Sequence, residues 1–263
     1  MRISLAITTY NRMDALEVVL LSAFGQQILP DEILVADDGS GDGTRALIDH
    51  MRQTSPVPLL HCWQEDHGFR AARSRNMAIA AASGDYLIFV DGDMVLHPAF
   101  IADHAEAARK NCFVQGNRVI LSEVTTKTVL KDKMADISFC SSGIENRKNC
   151  LHLALCSTLF SSLSKSLSGI RTCNFAFWKE DAEAVNGFNE EFVGWGREDS
   201  EFAARLLNLG IKRKNLRFAA IAYHLFHPLS TRQDLPQNDL LLRKTIEEKL
   251  TWCSHGLDSH RNA

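Results

Sequence analysis

Asp91 and Asp93 flank a single glycine at the end of the apolar run YLIFV, residues 86–90. Side chains of an extended chain alternate with period two, so both carboxylates fall on one side if the strand continues. Gly92 lets another backbone or a ligand come close. Two carboxylates in this position are costly unless something positive sits beside them, and no Lys or Arg adjoins them in the sequence. A divalent cation, which takes oxygen ligands, would serve; a solvated turn would also relieve the charge.

A second group lies in AYHLFHP, where His224 and His227 follow another apolar run and Pro228 forces an extended or turn conformation on His227. On a straight strand the two imidazoles face opposite ways. They meet at one ion only if the chain curls after His224; otherwise they are unrelated, one packed and one exposed. Imidazole beside carboxylate suits a transition metal better than magnesium. A third group is GWGREDSEF. Glu198 and Asp199 open a predicted helix, where the macrodipole stabilises negative charge whatever else they do. Gly194 and Gly196 hold Trp195 on a loop beside them. An aromatic face next to carboxylates can take a sugar ring, with CH contacts on one side and hydroxyl hydrogen bonds on the other.

Short apolar runs alternating with helical spacing would position these groups. Strands are predicted over residues 3–8, 32–36, 57–63 and 86–90, and helices over 12–24, 44–51, 69–82 and 98–109. That alternation is the βαβ pattern of a parallel sheet. Ligands of such sheets bind beyond the carboxyl ends of the strands, where Asp37, Asp38, Asp91 and Asp93 all lie. The second half is less regular. Residues 122–170 are polar and serine-rich, and CLHLALCSTLFSSLSKSLSGI within them reads as an amphipathic helix or a flexible acceptor-side loop. Beyond it a strand is predicted over 171–178, a short helix over 180–185, a helix from 198 stopping at Gly210, a strand over 216–223 and a terminal helix over 238–252. With no internal repeat and no linker, one domain over 1–263 is expected.

The 263 residues are 45% hydrophobic and 23% charged, an ordinary globular composition. A net charge of -3 leaves no basic surplus for nucleic acid. Seven scattered cysteines without a Cys-x-x-Cys pair favour reduced thiols and a cytoplasmic setting over a disulfide framework or a zinc site. The N-terminus turns polar too early for a signal peptide, and no window reaches the roughly 18 apolar residues of a membrane span.

Together these pieces resemble a family 2 glycosyltransferase of the nucleotide-sugar-binding GT-A fold. The residues that carry the resemblance are ITTYNR, VADDGSGDGT, HGFRAARSRNMAIAAASGDYLIFVDGD and GWGREDSEF; NGFNEEFVGWGREDSEFAARL and YHLFH also resemble the C-terminal region of beta-1,4-galactosyltransferases. The likeness spans about residues 3–121 and 171–228. It implies an α/β, Rossmann-like, mostly parallel central sheet flanked by helices. It further implies a nucleotide-sugar-binding half at about 1–121 and an acceptor-binding and catalytic half at about 122–263. On it, Thr8, Tyr10 and Arg12 border the nucleotide, Asp38 bonds the uracil, and Arg70 or Arg73 lies over the base or diphosphate. Asp91 meets the ribose and Asp93 the metal, Mn²⁺ or Mg²⁺. Asp199 matches the catalytic base, and Glu198 and Trp195 the acceptor contacts. The galactosyltransferases complete their metal site with Met-x-x-His; here His224-x-x-His227 stands in its place, which keeps a donor atom. The implied reaction is inverting transfer of a hexose from a UDP-sugar to a saccharide or lipid-linked saccharide acceptor. Its expected setting is bacterial surface polysaccharide or lipopolysaccharide synthesis, with peripheral contact at the inner face of the membrane.

Three other classes share parts of this pattern. Two histidines and a carboxylate can hold non-haem iron for an oxygenase, against which the parallel α/β pattern and DDGS speak. A nucleotide-sugar-binding module without turnover would not need Asp199. A sugar nucleotidyltransferase also uses aspartates and a metal, but an early Gly-rich, Lys- or Arg-bearing phosphate loop is missing.

Overall fold

The computed structural model describes residues 1–228 and 232–260. Its first part is a run of βαβ units: β1 (Ile3–Thr9), α1 (Met13–Phe24), β2 (Glu32–Asp37), α2 (Asp42–Arg52), β3 (Leu59–Trp63), α3 (Ala71–Ala81) and β4 (Tyr86–Asp91). The four strands pair in parallel in the order β3-β2-β1-β4. Nearly every residue of β1, β2 and β4 is buried, as expected of strands covered on both faces. Period two divides them between two cores. Leu5, Ile7, Ile33, Val35, Ile88 and Val90 pack against α1, whereas Ala6, Leu34, Ala36, Leu87 and Phe89 pack with α3 on the other face.

The chain continues through β5 (Met94–Leu96), α4 (Phe100–Ala107), β6 (Cys112–Gln115), β7 (Asn117–Leu121), α5 (Glu123–Asp132), β8 (Ile144–Glu145), α6 (Ala154–Phe160) and β9 (Ser162–Ser164). It closes with β10 (Asn174–Trp178), α7 (Lys179–Ala184), α8 (Glu198–Asn208), β11 (Lys212–Asn215), β12 (Ile221–His224) and α9 (Leu235–Glu247). The main sheet extends beyond β4 in the order β10-β6-β11-β9, with β10 antiparallel to both its neighbours. A second sheet has the order β5-β12-β7-β8. Strands late in the sequence are therefore laid directly against β4 and β5, which carry the two aspartates.

The early elements fall within two residues of their predicted bounds. The expected strand over 216–223 is corrected: the chain forms β11 before it and β12 at its end. Between them lies a turn in which Phe218 and Ala220 take positive φ of 61° and 50°. The terminal helix starts earlier than predicted, with a proline in its first turn, and ends at Glu247. Among the described residues no disulfide joins the cysteines, and no helix is long and apolar enough to cross a membrane.

α8, whose first turn carries Glu198 and Asp199, is fixed by an aromatic core. Phe202 stacks on Phe188 at 4.3 Å between centroids and meets Phe177 edge-on at 5.1 Å. Each such buried ring contributes about 1.5–3 kcal/mol. One turn on, the fully buried Arg205 clasps Glu201 through Nε (2.8 Å) and Nη2 (2.7 Å), and Thr245 of α9 donates to Glu201 at 3.0 Å. Removing one member of a buried pair strands the other's charge in low dielectric. Arg205→Ala is therefore expected to cost about 3–5 kcal/mol, read as a lowered urea midpoint. Arg205→Ala combined with Glu201→Ala should lose less than the sum of the two single changes.

Candidate active site

At the end of β4 the chain turns on Gly92, whose N–H donates to the Thr8 carbonyl at 2.6 Å. A Cβ at this position would stand 2.9 Å from that oxygen and 3.1 Å from Thr9 Oγ1, so the turn presses on the end of β1 as only glycine permits. Asp91 stays with the sheet edge, where its carboxylate accepts from Thr8 Oγ1 at 2.9 Å. Asp93 is carried elsewhere. β5 runs antiparallel to β12 with Met94 opposite His224, and Leu225 N donates to the Asp93 carbonyl at 2.9 Å. After His224 the strand ends and the chain curls, the condition for the two imidazoles to meet. Nε2 of His224 lies 3.7 Å and Nε2 of His227 3.2 Å from Asp93 Oδ2, and the ligand atoms of the three residues fall within 4.8 Å of one another.

The protonation pattern of this trio is informative. His227 Nδ1 sits 2.7 Å from the Pro228 carbonyl, which can only accept, so this nitrogen donates and Nε2 is the ring atom turned toward Asp93. Burial, then the charges of Arg118 and neighbouring groups, push His224 down to about 3, which keeps it neutral. Burial, and next the charge of Asp91, push the Asp93 carboxyl well above the usual carboxylate range. Its Oδ1 is buried with no hydrogen-bond partner among the described residues. The carboxylate of Asp93 and a ring nitrogen of each histidine converge here, so the trio fits a cation or a shared proton and fits nothing apolar. A second group, His97, Asp103 and His152, is built differently. Asp103 already accepts from His152 at 3.0 Å and from Ala220 N at 2.7 Å, and His97, whose ring stacks on that of His152, accepts from Ala99 N through Nδ1 at 3.2 Å.

Asp91 is tied to the acidic pair of α8 by Arg75. This buried guanidinium bonds Glu198 Oε1 at 2.9 Å and stands 3.9 Å from Asp91 Oδ1. It was not among the residues expected at the site; Arg70 and Arg73 were. Arg73 and Arg75 are about 200° apart on a helix, so only one can face the sheet edge. Arg73 turns to Gln64 at 2.6 Å and Glu190 at 3.8 Å. The signal was present in RAARSR, where the third arginine falls on the buried face of α3 with Ala71, Ala72, Ala78 and Ile79. Glu198 is buried and leaves Oε2 without a partner. Asp199 is half-buried; burial, then the charge of Glu198, push its carboxyl well above the usual range, while Arg75 pulls it back.

Trp195 is 39% exposed, with the Arg232 guanidinium 5.1 Å above its ring. Its loop is pinned by Asn238 of α9, which donates to the carbonyls of Val193 (3.1 Å) and Gly196 (2.9 Å). Gly194 has φ +75°, and a Cβ there would strike the Asp234 carboxylate at 2.0 Å. On the other flank Asp38 is buried, accepting from Arg70 N at 2.7 Å and from the Gln64 side chain. Asp37 is consumed by Ser40 N and His61, both at 2.8 Å. Tyr10 is exposed and donates to Asp66 at 2.9 Å, and Arg12 pairs with Asp14 at 3.2 Å while its charge also reaches Asp93 and His224. Thr8, Asp38 and Asp91 thus lie along one sheet edge, with Asp93 on the turn beyond it and the acids of α8 tied to Asp91 through Arg75. Arg70 borders that edge through its backbone N–H, and Arg73 faces away.

Comparison with known proteins agrees. The family model described as glycosyl transferase family 2 matches residues 4–169, well over half the chain. One described as the N-terminal domain of galactosyltransferase matches residues 156–228. The chain is 28% identical to the chondroitin synthase of Escherichia coli over 84% of its own length, and 26% identical to the hyaluronan synthase of Pasteurella multocida over 99%. It spans only about a third of these relatives: 34% of the first and 29% of the second. Among solved structures, S. aureus TarS 1–349 in complex with UDP superposes with a TM-score of 0.64 at 16% identity, covering 99% of this chain and 68% of that one. A Pyrobaculum calidifontis mannosyltransferase in complex with GDP-Man and Mn²⁺ gives 0.57 at 16% identity, covering 95% and 72%. These likenesses bear out the GT-A expectation for the fold.

The electrostatics of the acidic pair can be checked without a substrate. In a carboxyl NMR titration, Glu198→Gln is expected to move the Asp199 midpoint down, because a repelling charge is gone. Arg75→Gln should move it up, because an attracting one is gone. Shifts of the same sign would contradict the arrangement described.

Proposed function

The chain belongs to glycosyl transferase family 2, and on that premise we propose that it moves a hexose from a UDP-sugar to a saccharide or lipid-linked saccharide acceptor with inversion at the anomeric carbon. The observation that carries this is the trio Asp93, His224 and His227, whose lone pairs converge on the turn beside Asp91. A cation held there would oppose the negative charge of a departing diphosphate, and the linked acids of α8 would be available to take the acceptor's proton. Family membership also removes the oxygenase alternative.

Asp93, His224 and His227 would hold Mn²⁺ or Mg²⁺; the imidazoles favour Mn²⁺. When bound, the cation supplies Lewis-acid neutralisation of the leaving UDP. The remaining roles belong to the chain. Asp38 accepts from the uracil, with Thr8, Tyr10, Arg12 and Arg70 bordering the nucleotide and Asp91 meeting the ribose. Trp195 and Glu198 hold the acceptor sugar. Asp199 takes the proton of the acceptor hydroxyl as that oxygen bonds to the anomeric carbon and the bond to the diphosphate breaks. Its lifted pKa suits this, since a carboxylate of higher pKa is the stronger base, provided the pH is high enough to ionise it. Activity should therefore rise with pH along a limb displaced upward from that of an ordinary aspartate.

The relatives whose names mark them as chondroitin and hyaluronan synthases support assembly of a surface polysaccharide as the setting. The outer face of α6 supports contact with a membrane. Leu155 and Leu159 are 90% and 81% exposed one turn apart, and Leu153, Phe160 and Leu163 are exposed beside them. Peripheral attachment at the cytoplasmic face would bring a lipid-linked acceptor to the site. Leu155→Ser with Leu159→Ser should abolish flotation with anionic liposomes while leaving the urea midpoint in place; unchanged flotation would remove the membrane contact.

UDP-sugars screened for metal-dependent release of UDP test the activity, with no acceptor needed. Pyrophosphate release would instead mark a nucleotidyltransferase, and binding without turnover a non-catalytic module. Asp93→Ala and His227→Ala should each abolish the metal-dependent part of UDP binding in calorimetry. With a working acceptor and saturating donor, Asp199→Asn should lower kcat roughly 10²- to 10⁴-fold and leave donor binding unchanged. Glu198→Gln should raise the acceptor KM more than it lowers kcat. Near-wild-type kcat in Asp199→Asn would exclude this residue as the base.

A further inference from the structure

On the far side of β4 from Asp38 the sheet order is β10-β6-β11, and at the carboxyl ends of β6 and β11 lies a cavity of about 220 Å³. Three arginines line it: Arg118 on β7, Arg171 ahead of β10 and Arg213 on β11. The rest of its lining is largely amide and backbone, and no Asp or Glu contributes to it. Among the described residues none of the three guanidiniums forms an ion pair with a carboxylate. Arg118 reaches only Cys173 Sγ, at 4.0 Å. The exposed guanidinium of Arg171 has no hydrogen-bond partner among the described residues. Arg213 is buried, donates through Nη1 to the carbonyls of Ser166 and Ser168, and leaves Nε without a partner.

Three like charges around one small cavity repel one another, and a buried guanidinium lacking an anion is costly. Burial and the charge of Arg171 both lower the Arg213 pKa. Among the described residues no acid lies against Arg171 to balance its charge. The arrangement makes sense if an anion arrives. Guanidinium forks match carboxylate and phosphate oxygens in pairs, and amide side chains such as Asn149 and Asn215 suit the hydroxyls beside them.

The cavity adjoins the trio. β7 pairs with β12 so that Ile120 lies opposite His224, and Arg118 and Arg171 both act on the His224 ring. Strand order sets it on the flank away from the nucleotide half, and it is too small for a nucleotide. We propose that Arg118, Arg171 and Arg213 form a subsite for an anionic substituent, a carboxylate or a phosphate, on the saccharide acceptor. Resting on the glycosyltransferase reading, this narrows the acceptor to a charged saccharide.

Direct binding separates the two. The full chain is titrated by ligand-observed NMR with methyl β-glucuronide, glucose 6-phosphate and methyl β-glucoside, and separately by calorimetry with UDP and Mn²⁺. The charged sugars are expected to bind at least tenfold more tightly than the neutral one, with affinity falling as salt rises. Whichever charged sugar binds more tightly identifies the group. Arg171→Gln should erase most of that preference and Arg171→Lys restore part of it, with UDP affinity within twofold of wild type throughout. Equal binding of charged and neutral sugars, or no binding of either, overturns the subsite. So does a parallel loss of UDP affinity in Arg171→Gln, which would assign the arginines to the donor diphosphate. A charged-sugar preference in a chain that fails to turn over any UDP-sugar would uphold the subsite and sink the proposed activity instead.

Discussion

One buried guanidinium, that of Arg75, is shared between Asp91 on the central sheet and Glu198 on α8, and the geometry of the site depends on it. Acidic groups gathered at one sheet edge repel each other, and burial makes the repulsion worse because the local dielectric is low. Without a fixed positive charge among them, the carboxylates would be protonated or driven apart. Arg75 is held by α3, whose alanine-rich face lies against the sheet, so its charge cannot move away. It thereby fixes the separation between the turn that carries Asp93 and the helix that opens with Asp199. Asp199 sits one residue beyond the partner of Arg75 and inherits its position from that bond and from the aromatic packing of Phe202.

What Arg75 leaves unbalanced is divided in space. Toward the trio, Asp93 and two imidazoles turn their ligand atoms to one point. Toward β6 and β11, guanidiniums gather with no carboxylate partner among the described residues. Side chains of opposite need stand next to each other without pairing, which is the pattern of a site that awaits ligands rather than of a packed core. A chain selected for stability alone would have closed such gaps with ion pairs, as it does at Arg205 and Glu201.

The first half of this arrangement was legible in the sequence. Apolar runs buried on both faces and ended by Asp37, Asp38 and Asp91 have only one common architecture, and the aspartates had to lie along its carboxyl edge. The second half was not legible, because β5, β6, β7 and β11 are strands of three to five residues. Segments that short carry too little periodicity to stand out, and partners distant in the sequence decide their conformation. Lys212–Asn215 contains no apolar residue at all and is a strand only because β6 lies beside it. Arg75 escaped notice for a related reason: local sequence gives the face of a helix but not the acid that will meet it, 123 residues later.

The curl after His224 joins these observations. Strand alternation alone would have separated His224 from His227, and the sequence left that question open. The end of β12 is where β5, β7 and β12 run out together, so no ladder partner holds the chain extended beyond His224. Leu225 donates to the carbonyl of Asp93 itself and buries its side chain in the core, and Phe226 N then turns to Thr126 Oγ1 at 2.8 Å. The bond from Leu225 anchors the backbone at the same residue whose carboxylate the next histidine reaches, and Pro228, lacking an N–H, cannot donate to a ladder. The histidine spacing of three, unsuited to a strand, is suited to a strand that stops after the first of them. The turn on Gly92 and the stop after His224 are therefore two halves of one device: each sheds its strand at the point where its side chain is needed.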